Sequence, residues 1–495
     1  MSQELDERYD VVVVGAGNAG MCAALAALEQ GARVLVLERS AEEERGGNSR
    51  FTAGSMRFAY DGVDDLLELV PDLPESELER TDFGSYPELQ FFEDMARVTK
   101  YRADPDLVEI LVRRSYDTMR WMRDKGIRFY PSYRRQAYMV DGRFRFWGGL
   151  ALETASGGPG LVESEFGLVE KAGAEIAYKA RAVELIYDGT RVGGVRIVHD
   201  GRVTEVAANS VVLAAGGFQA NAEWRTRYLG PGWDLARVRG TWCNTGDGIR
   251  MALDIGAMPY GHWSGAHAVG WDLNAPEFGD LSVGDAFQKH SYPFGIMVNS
   301  RGERFVDEGA DFRNYTYVLY GHAVIAQPDQ FAWQIFDAKV AHLLLDDYRI
   351  RQVTKAKADT LEALAEKLEG VDPAGFLHTV AEYNAAVQQD VEFNPNTKDG
   401  RGTVGLSPPK TNWANTLDTP PFEAYAVGCG ITFTFGGLRI DEKARVISED
   451  RAPIPGLFAA GELVGGLFYH NYPGGTGLTA GSVFGRIAGT SAASG

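Results

Sequence analysis

The first readable pattern along the chain is YDVVVVGAGNAGMCAALAALEQGARVLVLERS, residues 9–40. Four consecutive valines without polar alternation read as a strand buried on both faces, the Ala/Leu-rich stretch as a helix, and VLVLE as a second buried strand. Helical spacing returns in PDLVEILVRRSYDTMRWMRDKG, where Asp104 before Pro105 supplies a start and Gly126 a stop. The aromatic-basic stretch 128–147 alternates about Asp141-Gly142 and predicts a β-hairpin rather than a nucleic-acid patch. Residues 157–186 predict a glycine loop, a helix and then strands; 195–218 predict a hairpin and a buried strand ending in Gly216-Gly217. NTGDGIRMALDIGA (244–257) is a further glycine loop opening a helix. From about residue 260 the pattern changes, and 260–330 read as aromatic and irregular. Residues 359–389 predict two amphipathic helices. Asp359 caps the first, with Leu361, Leu364, Ala365 and Leu368 at helical spacing and Gly370 as its stop, and Asp372-Pro373 starts the second. A polar Asn/Pro/Gly-rich segment, 392–421, precedes renewed strand-like segments, and IPGLFAAGELVGG (454–466) reads as a buried strand entering a turn.

Length and composition narrow the picture. A chain of 495 residues exceeds the roughly 250–300 at which one hydrophobic core stops growing, so two or more domains are expected. Apolar and charged contents of 45% and 24% are those of an ordinary soluble protein. The formal charge of −19 argues against a nucleic-acid-binding surface and means that an anionic substrate needs local arginines. Glycine, 59 of 495 residues or about 12% against about 7% on average, clusters in short runs that read as turns at binding loops. Cys22, Cys243 and Cys429 lie far apart without a CxxC, which excludes a disulfide scaffold and a zinc site, and without CxxCH there is no covalent c-type haem. The start MSQELDERYD is too charged for a secretory signal, and no apolar run approaches the roughly 20 residues of a membrane span. A reduced, cytoplasmic protein without a metal is the expectation.

Candidate chemistry begins in the first βαβ unit. Gly15, Gly17 and Gly20 have GxGxxG spacing, and Glu38 ends the second strand. Gly15 makes the tight turn, Gly17 lets backbone approach a pyrophosphate, and Gly20 permits close helix–strand packing; the helix N-terminus faces the phosphates and Glu38 accepts from a ribose. NAD and FAD both use such a unit. Glu462, after a buried strand in GELVGG, suits the ribityl chain of FAD, and PGGTGLTAGSVFGRIAG opens a helix whose N-terminus can stabilise a reduced isoalloxazine ring.

The set GxGxxG…Glu38, RGGNSRFTAG, VVLAAGGF, NTGDG, GERFVDE and AAGEL…PGGTG resembles the fumarate reductase/succinate dehydrogenase flavoprotein family over essentially the whole chain. GGNSR, residues 291–317 and GGLFYHNYPGGTGLTAG look most like its FAD-dependent tricarballylate dehydrogenase branch. The resemblance implies an α/β fold in which a Rossmann-like FAD-binding domain, 1–260 and 432–495, is split by an α+β capping domain, 261–431, with substrate clamped between them over the flavin. It implies FAD contacts from Gly15, Gly17, Asn18, Ala19 and Gly20, then from Glu38 and Arg39. RGGNSRFTAG supplies Gly46, Gly47, Asn48, Ser49, Thr52, Ala53 and Gly54. Val183, Ala215, Gly216, Gly217, Thr245 and Asp247 follow, and Gly461, Glu462, Gly475, Gly477 and Leu478 complete the set. The SHT motif through which membrane-bound complexes attach FAD is replaced by Arg50-Phe51-Thr52, so the resemblance implies non-covalent FAD.

For the reacting groups, Arg313 follows RFVDE (304–308) much as the family's proton-donating arginine does, one residue further on, and WSGAH (263–267) matches the pattern of its first clamp-domain histidine at His267. Two positions depart. Phe433 in TFTFGG stands where the family has a histidine gripping one fumarate carboxylate, and Tyr472 where it has an arginine. YPGG also resembles the 3-ketosteroid dehydrogenases, in which a tyrosine polarises the substrate carbonyl. The implied reaction is desaturation of a Cα–Cβ bond beside a carboxylate or carbonyl. Arg313 is the candidate carboxylate clamp and proton relay. Tyr472 polarises a carbonyl, serves as acid/base, or packs on the flavin. His470 and His267 are functional or merely structural. Lys289 and His290 are candidates for a further carboxylate, and Glu303 and Arg304 for a proton route. A tricarballylate-like polycarboxylate is the first substrate, a cyclic keto acid or 3-ketosteroid the second, and a flavin-carrying electron-transfer subunit the third reading. Electrons leave to an external acceptor: a protein, a quinone or oxygen.

Overall fold

The computed structural model describes residues 8–146 and 148–495; the first seven residues of MSQELDERYD, and Trp147 at the end of the aromatic-basic stretch, lie outside them. The chain divides into two compact units, one of Met1–Pro231, Gly240–Ala266 and Phe433–Gly495, the other of Gly232–Arg239 and His267–Thr432. In chain order the elements used below are β1 (Arg8–Val14), α1 (Asn18–Glu29), β2 (Val34–Leu37), α2 (Pro105–Lys125), α3 (Gly157–Lys171), β3 (Glu175–Ala177), β4 (Arg181–Tyr187), β5 (Val192–His199), β6 (Arg202–Leu213), α4 (Asp247–Leu253) and β7 (Pro259–Asp272). They continue with β8 (Ile296–Val298), α5 (Arg313–Ile325), β9 (Ala332–Phe336), β10 (Lys355–Ala358), α6 (Pro373–Ala386), β11 (Phe422–Leu438), β12 (Pro453–Ala459) and α7 (Thr476–Ala493).

In the first unit the valines of β1 are buried on both faces because the strand is central: it pairs in parallel with β2 on one side and β6 on the other, Val11 opposite Val34 and Ser210. β3 extends the parallel set beside β2, and β12 beside β6, while β4 and β5 form an antiparallel edge on β6. Helices α1 and α7 meet along a seam of small residues. A Cβ on Gly485 would lie 2.4 Å from the Ala19 carbonyl oxygen, and one on Gly489 would lie 2.0 Å from that of Ala23, so only glycine admits this separation. The predicted caps of α2 are present. The Asp104 carboxylate accepts from the N–H groups of Asp106 and Leu107, and Gly126 closes the helix in the left-handed region at φ 115°. Residues 137–140 and 143–146 form the predicted hairpin, with Asp141 and Gly142 both at positive φ.

The second unit is built on β11. It pairs antiparallel with β9 and β10 and in parallel with residues 237–238, and β8 lies beyond β9. Ile296, Ile335, Leu364, Phe376 and Val380 centre its apolar core.

Three local expectations are corrected. The glycines at 157–160 are the first turn of α3 rather than a loop, and a Cβ on Gly158 or Gly160 would clash with the carbonyl oxygens of Ser49 or Ala155. The helix Leu361–Ala365 is capped by Thr360, whose hydroxyl accepts from Ala363 N–H, one residue after the expected Asp359. Residues 260–330, read as irregular, contain most of the 14-residue strand β7 and all of α5; aromatic side chains at uneven spacing concealed both periods.

Candidate active site

The first unit brings most of the expected cofactor residues together at the C-terminal ends of its parallel strands. Gly15, at φ 103°, and Gly20 are glycine for packing reasons: their Cβ atoms would lie 2.4 Å from the Ala214 oxygen and 1.9 Å from the Gly15 oxygen. Gly17 differs. A Cβ there would meet nothing closer than Ser49 Oγ at 3.5 Å, so protein packing does not require glycine at this position. Asn18 N donates to Ser49 Oγ (3.0 Å), Asn18 Nδ2 to the Leu478 oxygen (2.9 Å), and Asn18 Oδ1 accepts from Ser482 Oγ (3.0 Å). Glu38 is buried. Burial pushes its carboxyl above the usual range, against backbone N–H groups of Ser40, Gly46 and Ala16 that favour the anion. Arg39 donates to the Cys243 oxygen (3.0 Å) and to Thr245 Oγ1 (2.5 Å), and pairs with Asp247 (3.2 Å). Burial would raise the Asp247 carboxyl, but Arg181, Arg39 and Arg250 outweigh it and hold it low. Arg250 donates to the Val183 oxygen at 3.2 Å. The RGGNSRFTAG turn winds on itself: Thr52 Oγ1 donates to the Ser49 oxygen and accepts from Gly54 N, and Asn48 Oδ1 accepts from Thr241 N. Ala53 lies against Gly157, whose Cβ would stand 3.2 Å from its oxygen, and Gly46 lies against Val162. A Cβ at Gly47 or Gly477 would meet nothing within 4 Å.

Glu462 sits in a partly buried hydrogen-bonded knot that sequence reasoning did not foresee. Its Oε1 accepts from Thr434 N (3.0 Å), its Oε2 from Gln219 Nε2 (3.2 Å) and Asn244 Nδ2 (3.3 Å), and Gly217 has no Cβ because one would stand 2.3 Å from Oε1. Burial pushes the carboxyl up to about 7. Gly216, at φ 71°, packs against Asn244, Ala215 against Gly248, and Gly461 against Ala19. Asn244 opens the NTGDG motif, which was the available signal; Thr434 and Gln219 carried none.

The residues fit FAD on observations of their own. α1 and α7 begin at Gly17 and Gly475, neither of which caps its helix with a side chain, so two positive helix ends are presented. Beside the second end the hydroxyls of Ser55 and Thr476 are buried and have no hydrogen-bond partner, as expected where a polar group of a ligand belongs. Arg57, also not anticipated, braces this end. Its guanidinium is fully buried, donates from Nε to the Gly474 oxygen (2.8 Å) and from Nη1 to the Gly148 oxygen, lies 5.1 Å over the Tyr86 ring, and stands 3.9 Å from Asp94.

The candidate reacting groups fall in two sets. In the first unit Tyr472 is buried edge-on against Phe433 (5.1 Å) and Phe468 (5.4 Å), with Phe433 also on Phe435 (5.4 Å). His470 is partly exposed, in the left-handed region at φ 61°, and its N–H donates to His262 Nδ1 at 3.1 Å; burial, Lys100 and Arg102 lower its pKa. In the second unit His267 on β7 is buried against the Tyr317 ring at 5.2 Å; burial first, then Arg239 and His322, hold its pKa well below the usual imidazole range. Tyr317 is one turn beyond Arg313 on α5, so His267 packs on the face that carries Arg313. His290 packs on Tyr317 as well, at 5.0 Å.

Two secondary expectations are corrected. Lys289 is fully buried, and its ammonium donates to the carbonyl oxygens of Phe287 (3.0 Å) and Asp347 (3.1 Å) and lies 3.7 Å from Asp272; it braces a loop instead of offering itself to a substrate. Glu303 and Arg304 form no route. The first is 58% exposed, while Arg304 is buried and clamped to Glu308 and the Pro408 oxygen.

The parallel sheet, its glycine loops and the two helix ends define a dinucleotide-binding flavoprotein. The chain belongs to the FAD binding domain family, whose model it matches over residues 10–478. It is 32% identical over 503 residues to the probable fumarate reductase Ifc3 of Shewanella frigidimarina (strain NCIMB 400), covering 98% of this chain and 75% of that protein. It is 29% identical over 507 residues to the NADH:fumarate oxidoreductase of Klebsiella pneumoniae (strain 342), with 98% of this chain covered but only 48% of that one, so it spans about half of this relative. Its relatives are flavoprotein oxidoreductases acting on CH–CH groups. Among solved structures, the open conformation of a flavocytochrome c3 fumarate reductase superposes with a TM-score of 0.73 at 28% identity, over 99% of this chain and 78% of that one. A 3-ketosteroid delta1-dehydrogenase from Sterolibacterium denitrificans shares the fold, with a TM-score of 0.76 at 22% identity over 99% and 100% of the two chains. Among the described residues no helix is long and apolar enough to cross a membrane.

Proposed function

We propose that the protein is an FAD-dependent oxidoreductase that interconverts a CH–CH bond and a C=C bond beside a carboxylate, with FAD held non-covalently and electrons exchanged with an external acceptor. The observation that carries this reading is Arg313 at the first position of α5, one turn from the Tyr317 on which His267 packs. The helix N-cap is Phe312, which has no side-chain oxygen, so the positive end of the helix and the guanidinium present the same sign to an anion.

When bound, FAD supplies hydride transfer at its isoalloxazine ring. Asn18, Glu38, Glu462 and the ends of α1 and α7 are the groups assigned to hold it. Arg313 grips the substrate carboxylate, which fixes the reacting C–C bond and stabilises the charge that builds on the carboxylate oxygens as the α proton leaves. His267, kept neutral by burial, acts through hydrogen bonding and not as a cation. Arg313 also relays the proton as it leaves or returns, and Tyr472 Oη, packed edge-on against the Phe433 and Phe468 rings, can donate a proton or a hydrogen bond to the substrate while it is neutral.

For the substrate, the first reading is a small polycarboxylate of the tricarballylate type, desaturated to a cis-aconitate-like alkene. The second, a cyclic keto acid with Tyr472 polarising its carbonyl, is favoured by one observation: the ring cluster Phe433, Phe435, Phe468 and Tyr472 is apolar where a further cation would suit a polycarboxylate. Anaerobic titration of the FAD-loaded protein with each compound tests both. Bleaching of the visible flavin band by tricarballylate, abolished in Arg313→Ala, supports the first; bleaching by the keto acid alone, lost in Tyr472→Phe, replaces it with the second. A protein that binds no flavin refutes the proposal.

A further inference from the structure

We infer that His262, which belongs to none of the family motifs, is a positioning residue for this reaction: its Nδ1 holds the backbone of His470 and so sets the loop that carries Tyr472. The inference rests on the reading of residues 468–475 as the reaction loop. Its basis is a hydrogen bond from His470 N to His262 Nδ1 at 3.1 Å, joining the loop to β7. Two further N–H groups wind the loop behind it, Asn471 N donating to the Tyr469 oxygen (2.6 Å) and Tyr472 N to Asn471 Oδ1 (2.8 Å). Between them His470 adopts φ 61°, a conformation that a residue with a Cβ keeps only when its surroundings hold it.

The imidazole is held in turn. It lies parallel to the Tyr469 ring at 5.7 Å and 9°, and its centroid is 6.3 Å from that of Phe435. Strand β7 makes room for it: a Cβ on Gly265 would stand 2.1 Å from His262 Nδ1. A glycine is therefore placed where the ring lies back along its own strand. A hydrogen bond to Nδ1 also fixes the protonation state, since that nitrogen accepts only while it carries no proton. The charged and titratable groups facing the pair are Lys100 and Arg102 after the helix Glu88–Val98, Asp104 hydrogen-bonded to Tyr260, Arg439 over the Tyr260 ring, and Tyr469. Burial first, then the cations Lys100 and Arg102, oppose a positive charge on the His470 imidazole.

The test uses the FAD-loaded full chain. His262→Phe keeps the stacking and removes the acceptor; His262→Asn restores an acceptor close to the Nδ1 position. Hydrogen exchange of the 468–475 segment is read at about pH 7, normalised to intrinsic rates, together with kcat and KM. In His262→Phe the His470 amide is expected to exchange at least about fivefold faster, as for loss of one ordinary hydrogen bond. Its kcat is expected to fall about ten- to a hundredfold with little change in KM, as for a misplaced reacting group. His262→Asn is expected to recover both. If His262→Phe matches the wild type, or His262→Asn behaves as His262→Phe, the inference is overturned. If His262→Phe does not fold, His262→Asn alone decides, with wild-type protection supporting the inference and lost protection refuting it. A wild type that turns over no carboxylate or keto acid removes the reaction reading, while the exchange data still decide the role of His262 Nδ1.

Discussion

Glu462→Gln gives the sharpest test of the hydrogen-bonded knot around Glu462. The Glu462 carboxyl titrates at about 7 in the folded chain against an ordinary value of 4.5, because burial disfavours its anion more than the surrounding donors favour it. Between these two pH values the folded state holds a proton that the unfolded state has released. Stability contributed by the group is therefore fully present below about pH 4.5 and is lost as pH rises toward 7. A difference of about 2.5 units corresponds to roughly 3 kcal/mol at 1.36 kcal/mol per unit. Glutamine cannot ionise, and the Gln219 amide, whose Oε1 has no partner, can turn to present that oxygen to the new NH2 group. Urea melts of flavin-depleted wild type and Glu462→Gln, from about pH 5 to pH 8, supply the assay. Other titrating groups cancel in the difference. The wild type is expected to lose about 3 kcal/mol relative to the variant as pH rises; a flat difference, or one of opposite sign, refutes the argument.

Two glycines in helices should respond oppositely to alanine. Gly489→Ala puts a methyl 2.0 Å from the Ala23 oxygen and is expected to cost about 1–3 kcal/mol, whereas Gly167→Ala in α3, with nothing within 4 Å, should stabilise by about 0.5–1 kcal/mol; thermal melts decide. Lys289→Ala leaves Asp272 buried without its ammonium and should destabilise by about 3–5 kcal/mol while the KM of the folded fraction stays unchanged. A raised KM at unchanged stability would return Lys289 to the substrate.

The first βαβ unit was legible because everything that defines it lies within 30 residues: an unbroken valine strand, three glycines and an acid after the second strand. The caps of α2 and α6 were legible for the same local reason, Asp before Pro. What escaped detection depends on distant chain. Thr434, Gln219 and Asn244 converge on Glu462 only after the sheet forms, and no spacing in the sequence announces it. Arg57 escaped notice because its partners, Gly474 and Tyr86, belong to other segments. Lys289 was misread by charge type, since a buried ammonium satisfied by carbonyl oxygens has the same letter as a substrate clamp. The start of α3 was hidden by glycines required for contact with residues 49–52, which outweighs their poor helix propensity.

The glycine seam of α1 and α7 also sets a length. Each helix presents its positive end at its own first residue, and the bond from Asn18 Nδ2 to the Leu478 oxygen ties the first turns together. With the axes pressed into van der Waals contact at Gly485 and Gly489, neither helix can slide along the other without driving backbone into backbone. The two anion-attracting ends thus form a rigid gauge. On the proposed reading of these ends as cofactor contacts, the glycine seam fixes the separation that a bound dinucleotide would have to span.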